Sequence, residues 1–516
     1  MAQMTTAKHL FFQLEDIKDL SVIFADLEKK FIVKQDGLQT VKEFFFDTFD
    51  WRLYREELFF VLGHKRCELY SSGGRAIFDT EVPRANKYFW WSFTRQELQD
   101  RLEPILEYRA LFPLVAVFKS QHNYRLTNKD GKTIARISTR VYRPADADGT
   151  FPFAVYIELK TVRGYESAFK KTDKIIRRHR AEEVVFGYSL LKAALENGRR
   201  QPLDYSSKYG VVLERDWSVG KVCSTICLYL LDNMKRNTEF ILADTDTEFL
   251  HDFRVAVRRT RSFLSLMKRL LPEQTAHYMA EFKWLGALTG PVRDLDVYLL
   301  MEKQYSTILP KSLHPGLPYF FADLKNFREK ALKKMIEGLR SVRFKKLKRD
   351  WSQYLTELPE LVEEGEWHSL CRPEAVQLIH KRLKRIVKDG NRITDKSADE
   401  CLHDLRIQAK KFRYLLEFFA PYFEQDDVKL FIKQLKKLQN NLGDFNDLSV
   451  QQGMLEEYQD KLVPSDETDL KIAASLGGLI SHLATKQHRV RKDFNRTFKQ
   501  FIRQENDRLF KKTFQA

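Results

Sequence analysis

Residues 245–264 read TDTEFLHDFRVAVRRTRSFL, and residues 397–416 read SADECLHDLRIQAKKFRYLL. The two stretches align without a gap and keep the same order of histidine, acidic and basic residues. A second pair of related stretches follows, LGALTGPVRDLDV at 285–297 and LQNNLGDFNDLSV at 438–450. A repeat of this kind indicates a duplicated structural unit. The first alignment pairs His251 with His403, Arg254 with Arg406, Arg258 with Lys410, Arg259 with Lys411, and Arg261 with Arg413.

Each copy has the residue spacing of an amphipathic helix. With His251 at zero on a wheel of about 100° per residue, Arg254, Arg258 and Arg261 fall within about 80° of it on one side. The second copy reproduces this basic wedge. The apolar side of the first helix is predicted on the opposite face, at Phe253, Val257, Thr260 and Leu264.

Both helices have a predicted start signal. Thr245 with Glu248, and Ser397 with Glu400, have the spacing of a capping box, in which two side chains satisfy the first free backbone N–H groups. These boxes place both histidines in the second helical turn.

The basic face has two interpretations. Most charged helix faces are simply solvated, and this holds for any single helix considered alone. Ligand binding is favoured here because the face carries one sign of charge, includes a histidine and occurs in both copies. Like charges at i,i+4 spacing destabilise a helix, and a bound polyanion would relieve that repulsion. We therefore expect the two helices to bind an anionic polymer.

Composition limits the classes of function. The chain has 516 residues, of which 43% are hydrophobic and 31% charged, as in folded proteins of more than one domain. Its net charge of +17 favours an anionic partner. The sequence lacks an apolar run of about 18 residues and a basic N-terminal segment followed by an apolar one, so we expect neither a membrane span nor a secretory signal. The five scattered cysteines fit reduced thiols in the cytoplasm.

The two halves of the chain differ in periodicity. Two alternating apolar runs within 111–141, joined by the turn sequence NKDG at 128–131, predict a β-hairpin. From about residue 216 onward helical spacing replaces the strand patterns. The predicted class is α+β, with an N-terminal antiparallel β-barrel or tunnel-like domain at 1–200, a linker at 201–215, and an all-α bundle at 216–515 whose repeated halves span about 216–350 and 375–515.

The C-terminal half resembles the CHAD domain, an all-helical module with conserved histidines, in the motifs LHDFRVAVRRTRSFL, LGALTGPVRDLDV, LHDLRIQAKKFRYLLEFF and LGDFNDL. The resemblance covers about 216–515 and implies that inorganic polyphosphate binds in a basic central cavity between the two halves. The residues expected to bind it are His251, Arg254, Arg258, Arg261, His403, Arg406, Lys410 and Arg413, with Arg259, Lys411 and Arg293 as further candidates.

The N-terminal half resembles a degenerate CYTH domain, the triphosphate-tunnel barrel, in FFFDTFDWRLYR at 44–55, NYRLTNKDGKTIARI at 123–137 and VYIELK at 155–160. The first strand of that family reads E-x-E-x-K, and its carboxylates bind a divalent metal. Here Ala7, His9 and Phe11 occupy the three positions, and none of them supplies a carboxylate. We therefore expect metal-dependent hydrolysis to be lost and a remnant of the tunnel to survive at Arg125, Arg136, Arg140 and Glu158.

Three functions are compatible with these features. The leading prediction is non-catalytic binding of inorganic polyphosphate, for which we assign no catalytic residue, metal ligand or cofactor. A metal-dependent inorganic triphosphatase is the alternative from the enzyme class. A general polyanion or nucleic-acid binder is the third, although the basic faces lack interleaved aromatic residues for base stacking. We expect the protein in the cytoplasm, and the resemblance suggests association with polyphosphate granules.

Overall fold

The computed structural model describes residues 9–71, 76–83, 85–145, 151–206, 209–363, 369–463 and 466–515. Ala7 lies outside these ranges. The chain divides into two compact units, Met1–Ser207 and Lys208–Ala516. The first unit is built on an antiparallel sheet and the second is helical, which confirms the predicted α+β class. None of the helices in the described ranges combines the length and apolarity that a membrane crossing requires.

Nine strands of the described residues pair in the order β5-β4-β3-β2-β6-β7-β8-β1-β9. Within these ranges β5 and β9 are the edges of the sheet, so its closure into a barrel stays a prediction. The strands are β1 (His9–Leu14), β2 (Ile32–Asp47), β3 (Leu58–Gly63), β4 (Arg66–Ser71), β5 (Ala76–Glu81), β6 (Phe112–Thr127), β7 (Thr133–Pro144), β8 (Ala154–Thr161) and β9 (Glu182–Glu183).

The predicted hairpin is the connection between β6 and β7. Gly131 has a φ of +74°, a left-handed conformation that favours glycine. The side-chain oxygen of Asn128 accepts hydrogen bonds from the backbone N–H groups of Asp130 at 3.1 Å and Lys132 at 2.9 Å. The turn therefore forms because its asparagine and glycine satisfy a backbone that other residues adopt less readily.

In the described part of this unit, five α-helices accompany the sheet: α1 (Lys18–Glu28), α2 (Arg52–Arg55), α3 (Gln96–Leu106), α4 (Glu166–Arg178) and α5 (Phe186–Asn197). Successive side chains of a strand point to opposite faces, and the core follows this rule. Phe12 and Ile157 pack in one cluster with α1 and α4, whereas the adjacent Phe11 and Tyr156 pack in another cluster with α5. Helices therefore cover both faces of this part of the sheet.

The second unit contains α6 (Val219–Leu242), α7 (Thr247–Met267), α8 (Thr275–Leu299), α9 (Glu302–Ile308), α10 (Leu317–Arg340), α11 (Val342–Glu363), α12 (Cys371–Gly390), α13 (Asp399–Phe419), α14 (Gln425–Asp460), α15 (Glu467–Phe501) and α16 (Gln504–Thr513). The duplicated stretches are α7 and α13, and the second pair of motifs lies in α8 and α14. Both copies of the repeated helix begin at the same aligned position.

The predicted faces of α7 are confirmed, but its predicted capping boxes are wrong. Phe253, Val257, Thr260 and Leu264 are all buried. The N-cap of α7 is Asp246 rather than Thr245, because the Asp246 carboxylate accepts from the backbone N–H groups of Glu248 and Phe249. The N-cap of α13 is Ala398, and Ser397 instead accepts a hydrogen bond from Thr394.

Candidate anion-binding cavity

The two repeated helices pack against each other. The rings of Phe263 on α7 and Phe418 on α13 meet at a centroid distance of 5.1 Å. Beside this apolar contact, the Arg258 Nε–H donates to the Tyr414 hydroxyl at 2.7 Å. A ring contact and a hydrogen bond therefore join α7 to α13, and side chains from both copies of the repeat meet there.

A cavity of about 610 Å³ opens at this junction of α7, α8 and α13. Six of its lining residues are basic, and both copies of the repeat supply them. They are Arg258 and Arg261 on α7, Lys283 on α8, and Arg406, Lys410 and Lys411 on α13. Ser262, Ser265, Met279, Ala280, Ile407 and Tyr414 complete the lining.

Five of the six cations have no ion-pair partner among the described residues. Among the residues that the structure describes, only Arg406 of this set forms an ion pair, with Asp447 at 3.2 Å. Arg258 and Arg261 are exposed, whereas Arg406, Lys410 and Lys411 are half-buried. Partial burial makes each of these charges cost more, because water screens it less. The cavity therefore holds concentrated, mostly uncompensated positive charge.

Burial, with the crowding of like charges, lowers the pKa values of Lys410, Lys411 and Arg406. Burial, together with the charges of Arg406 and Arg258, lowers the pKa of Lys410 to about 8. Burial, and then the neighbouring Arg382 and Arg261, lower the pKa of Lys411. Burial also lowers the pKa of Arg406, although Asp447 opposes the shift. Each shift means that the site disfavours the charge it carries, and a bound anion would reverse this.

Glycines of the motif LGALTG on α8 leave room for the arginines of α7. A Cβ atom on Gly286 would lie 3.0 Å from Nη1 of Arg261, and one on Gly290 would lie 3.5 Å from Nη1 of Arg254. The same Arg254 nitrogen donates to the Gly286 carbonyl at 3.0 Å and to the Thr289 hydroxyl at 3.1 Å. Arg254 is thus held by α8, and Arg261 occupies space that a residue larger than glycine at position 286 would restrict.

The remaining predicted binding residues do not line this cavity in the described part of the chain. His403 shares a hydrogen bond of 2.6 Å between its Nδ1 and Oδ1 of Asn446, and His251 is half-buried on α7. The others contact backbone or acidic groups. Arg254 binds α8 as described, Arg293 pairs with Glu248 at 3.4 Å, Arg259 pairs with Glu417 at 3.0 Å, and Arg413 lies 3.4 Å from the same carboxylate.

Lys283 is the cavity cation that the sequence prediction missed. It lies two residues before the motif LGALTG, and Lys436 stands at the same place before LQNNLG in the second copy. The repeat therefore carries a signal for this lysine, just before the two aligned motifs. Tyr414 was also missed. Its role is visible only in the structure, where its buried hydroxyl accepts a hydrogen bond from Arg258 and so holds that cavity residue in place.

Residues 225–456 match the family model of the CHAD domain. This segment is a CHAD domain. Both repeated helices and all six cavity cations of the described residues lie within it.

Two solved structures are similar to part of the chain. One is the crystal structure of the CHAD domain from the plant Ricinus communis, with 23% sequence identity, a TM-score of 0.49, and coverage of 56% of this chain and 94% of that one. The other is PptA from Streptomyces chartreusis, with 13% identity, a TM-score of 0.43, and coverage of 55% and 100%. No curated protein matches the chain.

The sheet unit that precedes the CHAD domain in the sequence contains the predicted tunnel remnant. Glu158 is buried and is surrounded by three basic side chains: Nη2 of Arg140 and Nζ of Lys160 each lie 2.8 Å from its carboxylate, and Nδ1 of His9 lies 3.4 Å from it. Arg125 is bound by Asp36 at 2.7 Å. Arg136 faces Arg125 on β6 and Lys160 on β8 in the strand register.

Phe11 on β1, one of the three positions compared with the metal-binding strand of the CYTH family, packs among aromatic rings. Phe11 stacks on Phe186 of α5 with a centroid distance of 4.6 Å, and the Arg140 guanidinium lies 4.6 Å from the centre of the Phe186 ring. Within the described ranges, His, Cys, Asp and Glu residues form no cluster of three that could hold a metal ion. The resemblance of this unit to the CYTH family stays a prediction.

Proposed function

We propose that the CHAD domain of this chain binds inorganic polyphosphate in the cavity between α7, α8 and α13 without hydrolysing it. The family is linked to polyphosphate binding, and residues 225–456 match its model. The observation that carries the proposal is the cavity lining, in which five cations from both copies of the repeat have no ion-pair partner among the described residues.

The chemistry of the lining suits successive phosphates. Arg258 and Arg261 present guanidinium groups that can bind two oxygens of one phosphate, whereas Lys410 and Lys411 act as compact point charges. The Ser262 and Ser265 hydroxyls supply neutral donors beside them. Each bound phosphate places a negative charge among the fixed cations. Binding is therefore favoured by direct attraction, which also offsets the repulsion between the cations.

The same lining favours polyphosphate over nucleic acid. Binding of single-stranded nucleic acid without sequence preference uses aromatic rings on which bases stack. Among the described residues that line the cavity, the aromatic one is Tyr414, which is 2% exposed and whose hydroxyl is bound by Arg258. Bases would therefore find charge but no stacking surface.

A competition experiment tests this proposal. Fluorescent single-stranded RNA bound to the full chain should be displaced by long-chain polyphosphate at a lower concentration of phosphate groups than by unlabelled RNA. Equal potency of the two polymers would show a general polyanion binder instead. Steady release of phosphate from tripolyphosphate with Mg²⁺ or Mn²⁺ would overturn the non-catalytic part of the proposal.

The cytoplasmic location and the association with granules stay predictions.

A further inference from the structure

Helix α12 continues the positive charge of the cavity to one side. Helices α12 and α13 are consecutive and joined by a short connection, so they run antiparallel. Gln408 on α13 donates to the Asp389 carboxylate on α12 at 3.0 Å. Moving one turn along α13 from Gln408 reaches Lys411, and moving one turn back along α12 from Asp389 reaches Arg385. Lys411, a cavity residue, therefore lies next to Arg385.

A second arginine extends this line. Arg382 lies one turn before Arg385 on the same side of α12, within about 60° on the helical wheel. It is half-buried, and no carboxylate of the described ranges forms an ion pair with it. Arg385 lies 3.5 Å from Asp389, which it shares with Gln408. The basic residues thus follow one another from the cavity wall onto α12.

The first copy of the repeat has no equivalent extension of free positive charge among the described residues. Arg259 is the counterpart of Lys411, but Glu417 neutralises it at 3.0 Å. Its guanidinium also lies 5.7 Å from the ring centres of both Tyr209 and Tyr414. The Arg259 side chain is 12% exposed, so its carboxylate and ring contacts keep it from a ligand, whereas Arg385 is 63% exposed beside its carboxylate. The positive charge of the cavity therefore extends only past the second copy of the repeat, from Lys411 to α12, among the described residues.

We propose that polyphosphate longer than the cavity leaves it past Lys411 and lies along α12 on Arg382 and Arg385. The inference rests on the proposed function and adds a preference for long chains over short ones. A short anion such as tripolyphosphate is held by the cavity cations. A long chain gains two further phosphate contacts, each of which releases condensed counterions.

The test compares three forms of the full chain: wild type, the double variant Arg382→Gln with Arg385→Gln, and the control Lys333→Gln with Lys334→Gln. The control removes the same charge from two exposed lysines of α10, which lie outside the cavity lining and off α12. Binding of long-chain polyphosphate is titrated at several salt concentrations. Tripolyphosphate is titrated in parallel, and circular dichroism checks that helicity is unchanged.

The Arg382 and Arg385 variant should lose about 1.4 from the slope of log affinity against log salt and about tenfold in affinity for the long chain at physiological salt. Its affinity for tripolyphosphate should equal that of the control. Equal long-chain slopes in variant and control would overturn the α12 path and leave the cavity proposal intact. An equal loss for both ligands would overturn it too, because the arginines would then act on the cavity. Failure of the wild type to bind long chains would instead overturn the proposed function.

Discussion

Removing two cavity cations should change the salt dependence of polyphosphate binding by a calculable amount. The perturbation is Arg258→Gln with Lys410→Gln, one residue from each copy of the repeat, both in the cavity lining. Glutamine keeps much of the length and polarity of each side chain and removes the charge. The number of cations without an ion-pair partner in the described ranges falls from five to three.

The magnitude follows from counterion release. Each neutralised phosphate of a single-stranded polyanion contributes about −0.7 to the slope of log affinity against log salt, so the cavity cations contribute about −3.5 in the wild type and about −2.1 in the variant. Raising the salt fourfold, from about 50 to 200 mM, should then weaken the cavity's share of binding about 100-fold in the wild type and about 20-fold in the variant, and contacts outside the cavity add equally to both. Loss of two charged hydrogen bonds should also reduce affinity about 100-fold at low salt.

Fluorescence anisotropy of labelled long-chain polyphosphate, titrated with the full chain at four salt concentrations, measures both quantities. The control variant is Lys333→Gln with Lys334→Gln, two exposed lysines on α10 outside the cavity lining. It loses the same formal charge and should keep the wild-type slope. A slope unchanged by the cavity variant, or lowered equally by the control, would refute the assignment of binding to this cavity and indicate attraction by net charge alone.

Three further outcomes are expected. Because the pKa of Lys410 is lowered to about 8 and bound phosphate favours its charged form, affinity should fall about tenfold between pH 7 and 9, and Lys410→Arg should flatten this pH profile, measured by the same anisotropy titration. Gly286→Ala should raise the stability of α8 by about 1 kcal/mol in denaturant unfolding, yet weaken polyphosphate binding, since the new Cβ would displace the Arg261 guanidinium. Gly187→Ala should destabilise the sheet unit by about 1–3 kcal/mol, because its Cβ would lie 2.0 Å from the buried Phe59 ring, and a thermal melt that is unchanged would contradict this packing.

Local patterns were sufficient for the elements and their faces. The hairpin at 128–131 could be predicted because one asparagine and one glycine satisfy the turn by themselves. The buried side of α7 could be predicted because a helix repeats every 3.6 residues wherever it is placed. The start of α7 was misplaced by one residue, because threonine and aspartate are both good N-caps. In the structure it is the Asp246 carboxylate that accepts the first free backbone N–H groups of the helix.

The internal repeat, the helical class of the second unit and the basic side of its two central helices were determined by the order of residues alone, since each depends on neighbours within a few turns. Only the tertiary structure decided which of those cations share a cavity. Arg259 and Lys411 are equivalent in the repeat, yet Glu417 and two tyrosines bind the first while the second lines the cavity. Periodicity places a side chain on one face of its helix, but the residue it meets there comes from a distant part of the chain.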